Sequence, residues 1–202
     1  MRITAEAKSA TRERILEAAS RLFRSKGWEA TTTRDIAVAA GIASGTLFNY
    51  FETKEAVAAT LISDALTVQP EAAGSLEEAL FSLIQGGLRS LRALRGFLAA
   101  AAETVLSPLA RTTSGSPGDS IRIRQLEAMQ RLVALHGYAT PLSPLTVQLY
   151  WTLYLGVFSF WAADESPHQE DTLALLDQSL RLFVASLNAE SKGDQRRGRE
   201  TR

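Results

Sequence analysis

Apolar residues recur along this chain at the spacing of helices, and no strand-like alternation of useful length appears. Ile15, Leu16, Ala19, Leu22 and Phe23 form one stripe, predicting an amphipathic helix from about Ala10 to Lys26 that Gly27 stops. Thr32 and Asp35 fit the pair in which a hydroxyl caps a helix start and a carboxylate three residues on reaches back. The helix they open has Ile36, Ala39 and Ala40 on its inner face and ends at Gly41, where a left-handed residue meets no Cβ clash. Leu47 and Phe51 lie four apart and point inward, which leaves Ser44, Gly45, Thr46, Phe48 and Asn49 outward. Trp28 is expected to cap a small core made with Ile15, Leu22, Ile36, Leu47 and Phe51.

Thr53 is a good N-cap for a fourth helix through Val57, Leu61, Ile62 and Leu66 to Pro70. Ser75 and Glu78 repeat the capping pattern before a long helix from Leu76 to about Leu94, weakened in its middle by Gly86 and Gly87. Residues 97–106 read as a short apolar helix, 107–120 as a Gly, Pro and Ser-rich loop, and 119–136 as a further helix. Residues 145–163 are the most apolar stretch. Gln148, three hydroxyl residues and the lack of a basic flank predict a buried helix there rather than a membrane span. A last helix spans about 168–187, and the tail from Glu190 to Arg202, without an apolar residue, is expected to be disordered. The fold class is therefore all-α: a three-helix head over 10–54, a linker helix over 55–70, a helical body over 71–188 and a tail over 189–202.

At 202 residues and 46% apolar, the chain can bury a sizeable core. Cysteine is absent, which removes thiolate chemistry and points to the cytoplasm, and no secretory leader pattern opens the chain. The net charge of zero hides an asymmetry, because nine bases face six acids through residue 54 while eight bases face eleven acids over 71–188. A mildly basic head on an acidic body suits an approach to DNA by the head alone. Enzyme chemistry finds little footing: His136 and His168 are the only histidines and have no metal-ligand spacing. Gly86-Gly87 lies in no phosphate loop, and no nucleophile elbow is present. No metal or cofactor is expected.

Two short helices around a Gly-containing turn match the helix-turn-helix, whose second helix enters the major groove. The order of residues from Gly27 to Glu55, G-W-x-x-T-T-T-R-D-I-A-x-A-A-G-I-A-x-G-T-L-F-x-Y-F-x-T-K-E, closely resembles the DNA-binding end of the TetR family of bacterial regulators. The resemblance implies that Thr33 and Arg34 approach phosphate and base, that Ser44, Gly45, Thr46, Phe48 and Asn49 occupy the recognition helix, and that Tyr50 and Lys54 hold phosphate. Arg34 is suited to a guanine edge, and Thr46 or Asn49 to a base edge or thymine methyl. Phe48 stands where many members have Tyr, and Ala43 where Ser is frequent, so Phe48 must make an apolar contact and Ser44 is left as a substitute cap.

One short recognition helix cannot define a unique site, so a homodimer on a double-stranded palindromic operator is expected, paired through helices 145–163 and 168–187, with Gly156 and Ser159 permitting close crossing or packing internally. The resemblance implies the same arrangement and a small-molecule effector in the body. Wall candidates are Phe81, Phe97, Trp151, Tyr154, Phe158 and Trp161, with Arg92, Glu103 and His136 as polar options, which favours a largely apolar ligand. The chain reads as a repressor released from its operator by such an effector. The alternative is a helical ligand-binding or scaffold protein with a degenerate head.

Overall fold

Thr4 opens the first helix, its hydroxyl accepting the Ala7 amide at 3.3 Å, and α1 runs Ala5–Ser25, five residues earlier than the apolar stripe alone suggests. The cause is the cap, which lies outside the stripe. This computed structural model describes residues 4–66, 73–105 and 118–200, with the side chains of 102–105 and 191–200 outside the description. The loop expected over 107–120 falls almost wholly outside the described residues, as does Pro70.

All described elements are helical. α2 (Thr33–Ala39), α3 (Ser44–Phe48) and α4 (Lys54–Ala65) follow α1. α5 (Leu76–Ser90) ends earlier than its stripe predicted, and Arg92–Leu94 form a tighter 3-10 turn before α6 (Arg95–Val105). Gly86 and Gly87 do not break α5. α7 (Asp119–Leu135) and α8 (Pro144–Ala163) come next, the latter capped by Ser143 with Pro144 in the first helical position, where its missing N–H costs nothing.

The turn into α9 (Glu170–Glu200) is held by Asp164, which accepts the Ser166 amide at 2.8 Å and the Thr172 amide at 3.0 Å. The Ser166 and Thr172 side chains, and after them these two amides, hold its carboxyl below the usual carboxylate range. Helix α9 continues through the stretch expected to be a disordered tail. That stretch holds no proline, and its Glu, Lys, Gln and Arg residues have high intrinsic helix propensity.

The elements form two compact units. The first gathers α1–α4 with α6, and the second gathers α5 with α7, α8 and α9. The sequence-drawn body, 71–188, is therefore divided, because α6 inserts Phe97 among residues of the head. Its ring lies 4.9 Å from Phe23 and 6.3 Å from Trp28, and the latter two rings are 5.0 Å apart. In the second unit an aromatic run along α8, Tyr150, Trp151, Tyr154, Phe158 and Trp161, is buried. No described helix is long and apolar enough to cross a membrane.

Candidate nucleic-acid interface

The head's geometry begins with one carboxylate. Asp35 accepts the Thr32 amide at 2.9 Å, the Thr32 hydroxyl at 2.8 Å and the Lys26 ammonium at 2.7 Å, while its own amide donates to Thr32 Oγ1 at 3.1 Å. The expected capping box is thus present in both directions. Lys26 and Thr32 hold the Asp35 carboxyl well below the ordinary carboxylate range.

A depressed folded-state pKa means that Asp35 stabilises the head fully above its unfolded-state value near 3.9, and that this contribution disappears as the pH falls below it. Acid titration followed by circular dichroism should show α2 loosening below about pH 4, and Asp35→Asn should remove that acid transition while lowering stability at neutral pH. A transition of equal size in the variant would assign the acid response elsewhere.

On α2 the buried set is Ile36, Ala37 and Ala40, so Ala39, expected inside, is exposed and Ala37 takes its place. The two sets span equal arcs of about 100° on a helix of 3.6 residues per turn, so the buried stripe is turned about the axis of α2 toward Ala37 rather than narrowed. Gly41 has a φ of 68°, the left-handed value predicted for the helix stop. Leu47 and Phe51 are buried as expected, and Trp28 is buried with Ile15 and Ile36, whereas Leu22 is only half-buried.

That inward set fixes the outward one. Arg34, Ser44, Gly45, Phe48 and Asn49 are exposed, and Thr33, Thr46 and Tyr50 are half-buried. The N-cap position Ala43 makes no side-chain bond, and Ser44, offered as a substitute, is the first residue of α3 rather than its cap.

Lys54 is engaged inside the head. Its ammonium donates to the Trp28 carbonyl at 2.9 Å and sits 4.2 Å from the centre of the Trp28 ring. The sequence reading assigned this lysine to phosphate. In the structure it ties the start of α4 to the turn after α1, where the buried indole offers a cation–π face and a carbonyl that also accepts the Thr31 amide at 3.3 Å.

The effector candidates are not brought together. Phe97 is 1% exposed in the head's core, and Arg92 is exposed on the 3-10 turn of the same unit. The side chain of Glu103 lies outside the described residues. Phe81, Trp151, Tyr154 and Phe158 belong to the second unit, where Phe81 is half-buried. His136 lies near backbone carbonyls, 2.8 Å from Leu132 and 3.3 Å from Gly74.

Of these candidates only Tyr154 lines the cavity among α5, α8 and α9, which also meets Ile84, Tyr150 and Phe183 and amounts to about 10 Å³. That is the space of a single water molecule. Gln125 donates to the Tyr150 hydroxyl at 2.8 Å, and burial pushes both tyrosine hydroxyls well above the usual phenol range, so they act as neutral groups. Sequence reasoning missed Tyr150, Ile84 and Phe183 because each reads as ordinary core at helical spacing.

Similar proteins point the same way. Residues 15–61 match the model of the bacterial regulatory proteins, tetR family. The transcriptional repressor KstR2 of Rhodococcus jostii is 50% identical over 50 residues, 25% of this chain and 24% of that protein. The uncharacterized transcriptional regulator YvkB of Bacillus subtilis is 42% identical over 53 residues, 26% of this chain and 28% of that protein. The match thus spans about a quarter of the curated relatives' length. Among solved structures, Thermus thermophilus FadR, a TetR-family repressor in complex with lauroyl-CoA, aligns over 86% of this chain and 93% of its own with 27% identity and a TM-score of 0.66. A TetR regulator from Rhodococcus sp. RHA1 aligns over 90% and 98% at 21% identity and the same TM-score of 0.66, a likeness of fold.

Proposed function

We propose that this chain, whose head belongs to the TetR family of bacterial regulatory proteins, is a sequence-specific DNA-binding transcriptional repressor that works in the cytoplasm as a homodimer. The observation that carries the reading is the division of the helix-turn-helix into a closed inner face and an outer face presenting Arg34, Ser44, Phe48 and Asn49. Residues 10–54 serve as the reading head, 55–70 as a link, and 71–188 as the dimerising and effector-binding part, with α6 structurally committed to the head. Dimerisation supplies two heads for half-sites about 34–36 Å apart or a comparable groove spacing.

A second copy fits the outer face of α8 and α9. Leu145, Leu149, Thr152, Gly156, Phe160 and Ala163 are exposed at alternating steps of four and three or four residues, and Leu175, Gln178, Leu182 and Ala185 continue the theme on α9. Leu145 is 81% and Leu182 57% exposed. Such a seam of small and apolar groups is that of helices that pack in pairs.

The effector is a small, largely apolar molecule. The apolar lining of the second unit supports this, and the FadR relative is solved with lauroyl-CoA, whose acyl chain is apolar although its coenzyme A part is large and charged. A ligand entering that core, whose cavity holds no more than a water, selects an opened state of it, and it releases DNA only by favouring a dimer whose heads do not fit the operator.

Selection of bound duplexes from a random pool by the purified chain tests the reading: a palindromic consensus is expected, and recovery of nothing above background would overturn it. On that consensus Arg34→Ala should lose roughly 1–3 kcal/mol and relax the preference at one base pair per half-site. A uniform loss on all sequences would make Arg34 a phosphate contact instead.

A further inference from the structure

The core of the head closes without Phe48. Its neighbour Leu47 is fully buried and Phe51 is buried one turn on, yet Phe48 between them leaves 51% of its surface in water. Among the described residues, the only other large apolar side chain so exposed in the first unit is Val38, at 74%, one turn after Arg34 on α2. Helix α3, Ser44–Phe48, carries no charged side chain, so its outer face has only hydroxyls and an aromatic ring, with Asn49 next to it.

Gly45 adds to this. A Cβ placed on it would meet nothing within 4 Å, so the head's own packing does not require a glycine there. One turn before Phe48, the surface is consequently low and open, which allows a base edge to come close to the α3 backbone.

Base-pair edges in the major groove are hydrogen-bonding groups with one apolar exception, the C5-methyl group of thymine. A half-exposed phenyl ring on an uncharged helix has no polar group to offer phosphate, and water already solvates it poorly. We propose that Phe48 reads thymine methyl groups, so that each half-site carries an A·T pair facing the middle of α3 while Arg34 on α2 supplies the guanine contact. This specificity rests on the DNA-binding reading above and adds the chemical class of base that the head selects.

The test uses the full chain and the duplex consensus selected from a random pool. Each thymine is replaced in turn by deoxyuridine, which pairs identically and lacks only the methyl group. At one thymine or more per half-site the affinity should fall about fourfold, the effect of leaving one methylene-sized group unburied. Phe48→Ala should bind thymine and uracil duplexes equally, with an unfolding midpoint close to that of the parent because no core contact is lost. If that variant binds too weakly to measure, Phe48→Leu serves, with reduced discrimination expected.

Equal affinity for every uracil duplex would overturn the proposal while leaving the regulator reading standing, as would thymine discrimination undiminished in the Phe48 variants. A pool that yields no consensus would remove both readings together.

Discussion

Phe97→Ala should unfold the helix-turn-helix head at temperatures where the parent chain still holds it, although Phe97 lies more than forty residues beyond the helix-turn-helix. Its ring sits 4.9 Å from Phe23 and 6.3 Å from Trp28, and all three are buried. Removing a buried phenyl group costs about 3–5 kcal/mol once the cavity is counted, against roughly 5–15 kcal/mol for a whole domain. For a unit of this size, at about 4–8 °C per kcal/mol, the midpoint of unfolding should drop on the order of 10–40 °C.

Operator affinity measured well below that midpoint should be nearly unchanged, because Phe97 belongs to the buried core and not to the exposed reading face. That pairing of results separates a core residue from an effector contact. A midpoint within about 2 °C of the parent, far below the cost expected for a buried ring, would show that α6 is not part of the head's folding unit. Lys54→Ala belongs to the same class with a smaller effect, since its ammonium serves the Trp28 carbonyl and ring.

The contrast between Phe97 and Asp35 shows what the sequence could and could not say. Asp35 was legible because a capping box is a local device: its partner Thr32 is three residues away, and the spacing alone specifies the bonds. The inward pair Leu47 and Phe51, the stop at Gly41 and the polar outer face followed for the same reason. Phe97 has a partner more than seventy residues earlier, and helical periodicity says which face is apolar without saying what covers it.

Lys54 meets the same limit, because its place at a helix start suggests a phosphate ligand and says nothing of the Trp28 carbonyl and ring that the fold brings to it. The nine effector candidates share only residue type, and the fold distributes the described ones across two units. Only the part of the site written in short-range spacing was readable. The effector region depends on how distant helices pack, and that left no local mark.

Gly156→Arg should leave the chain folded and make it monomeric. Gly156 lies on the exposed seam of α8, and a Cβ built there meets nothing within 4 Å, so an arginine has room in the isolated chain. Within the helix the change is mildly favourable, since glycine is about 0.8–1.0 kcal/mol poorer than alanine and arginine lies near alanine. Helix content by circular dichroism should therefore be unchanged.

In a pair the same side chain stands where two copies of α8 must approach. It brings a long cation and its symmetry mate into a seam of Leu149, Thr152 and Phe160, and a like charge without a partner opposes burial. Sedimentation equilibrium should give the mass of one chain. Binding to the palindromic operator should fall by a factor on the order of 10²–10⁴, because each head must then find its half-site without the effective concentration that its partner provides. A dimer persisting at parental operator affinity would move the interface off α8, whereas a monomer with parental affinity would mean that one head is enough and that the proposed two-headed binding is mistaken.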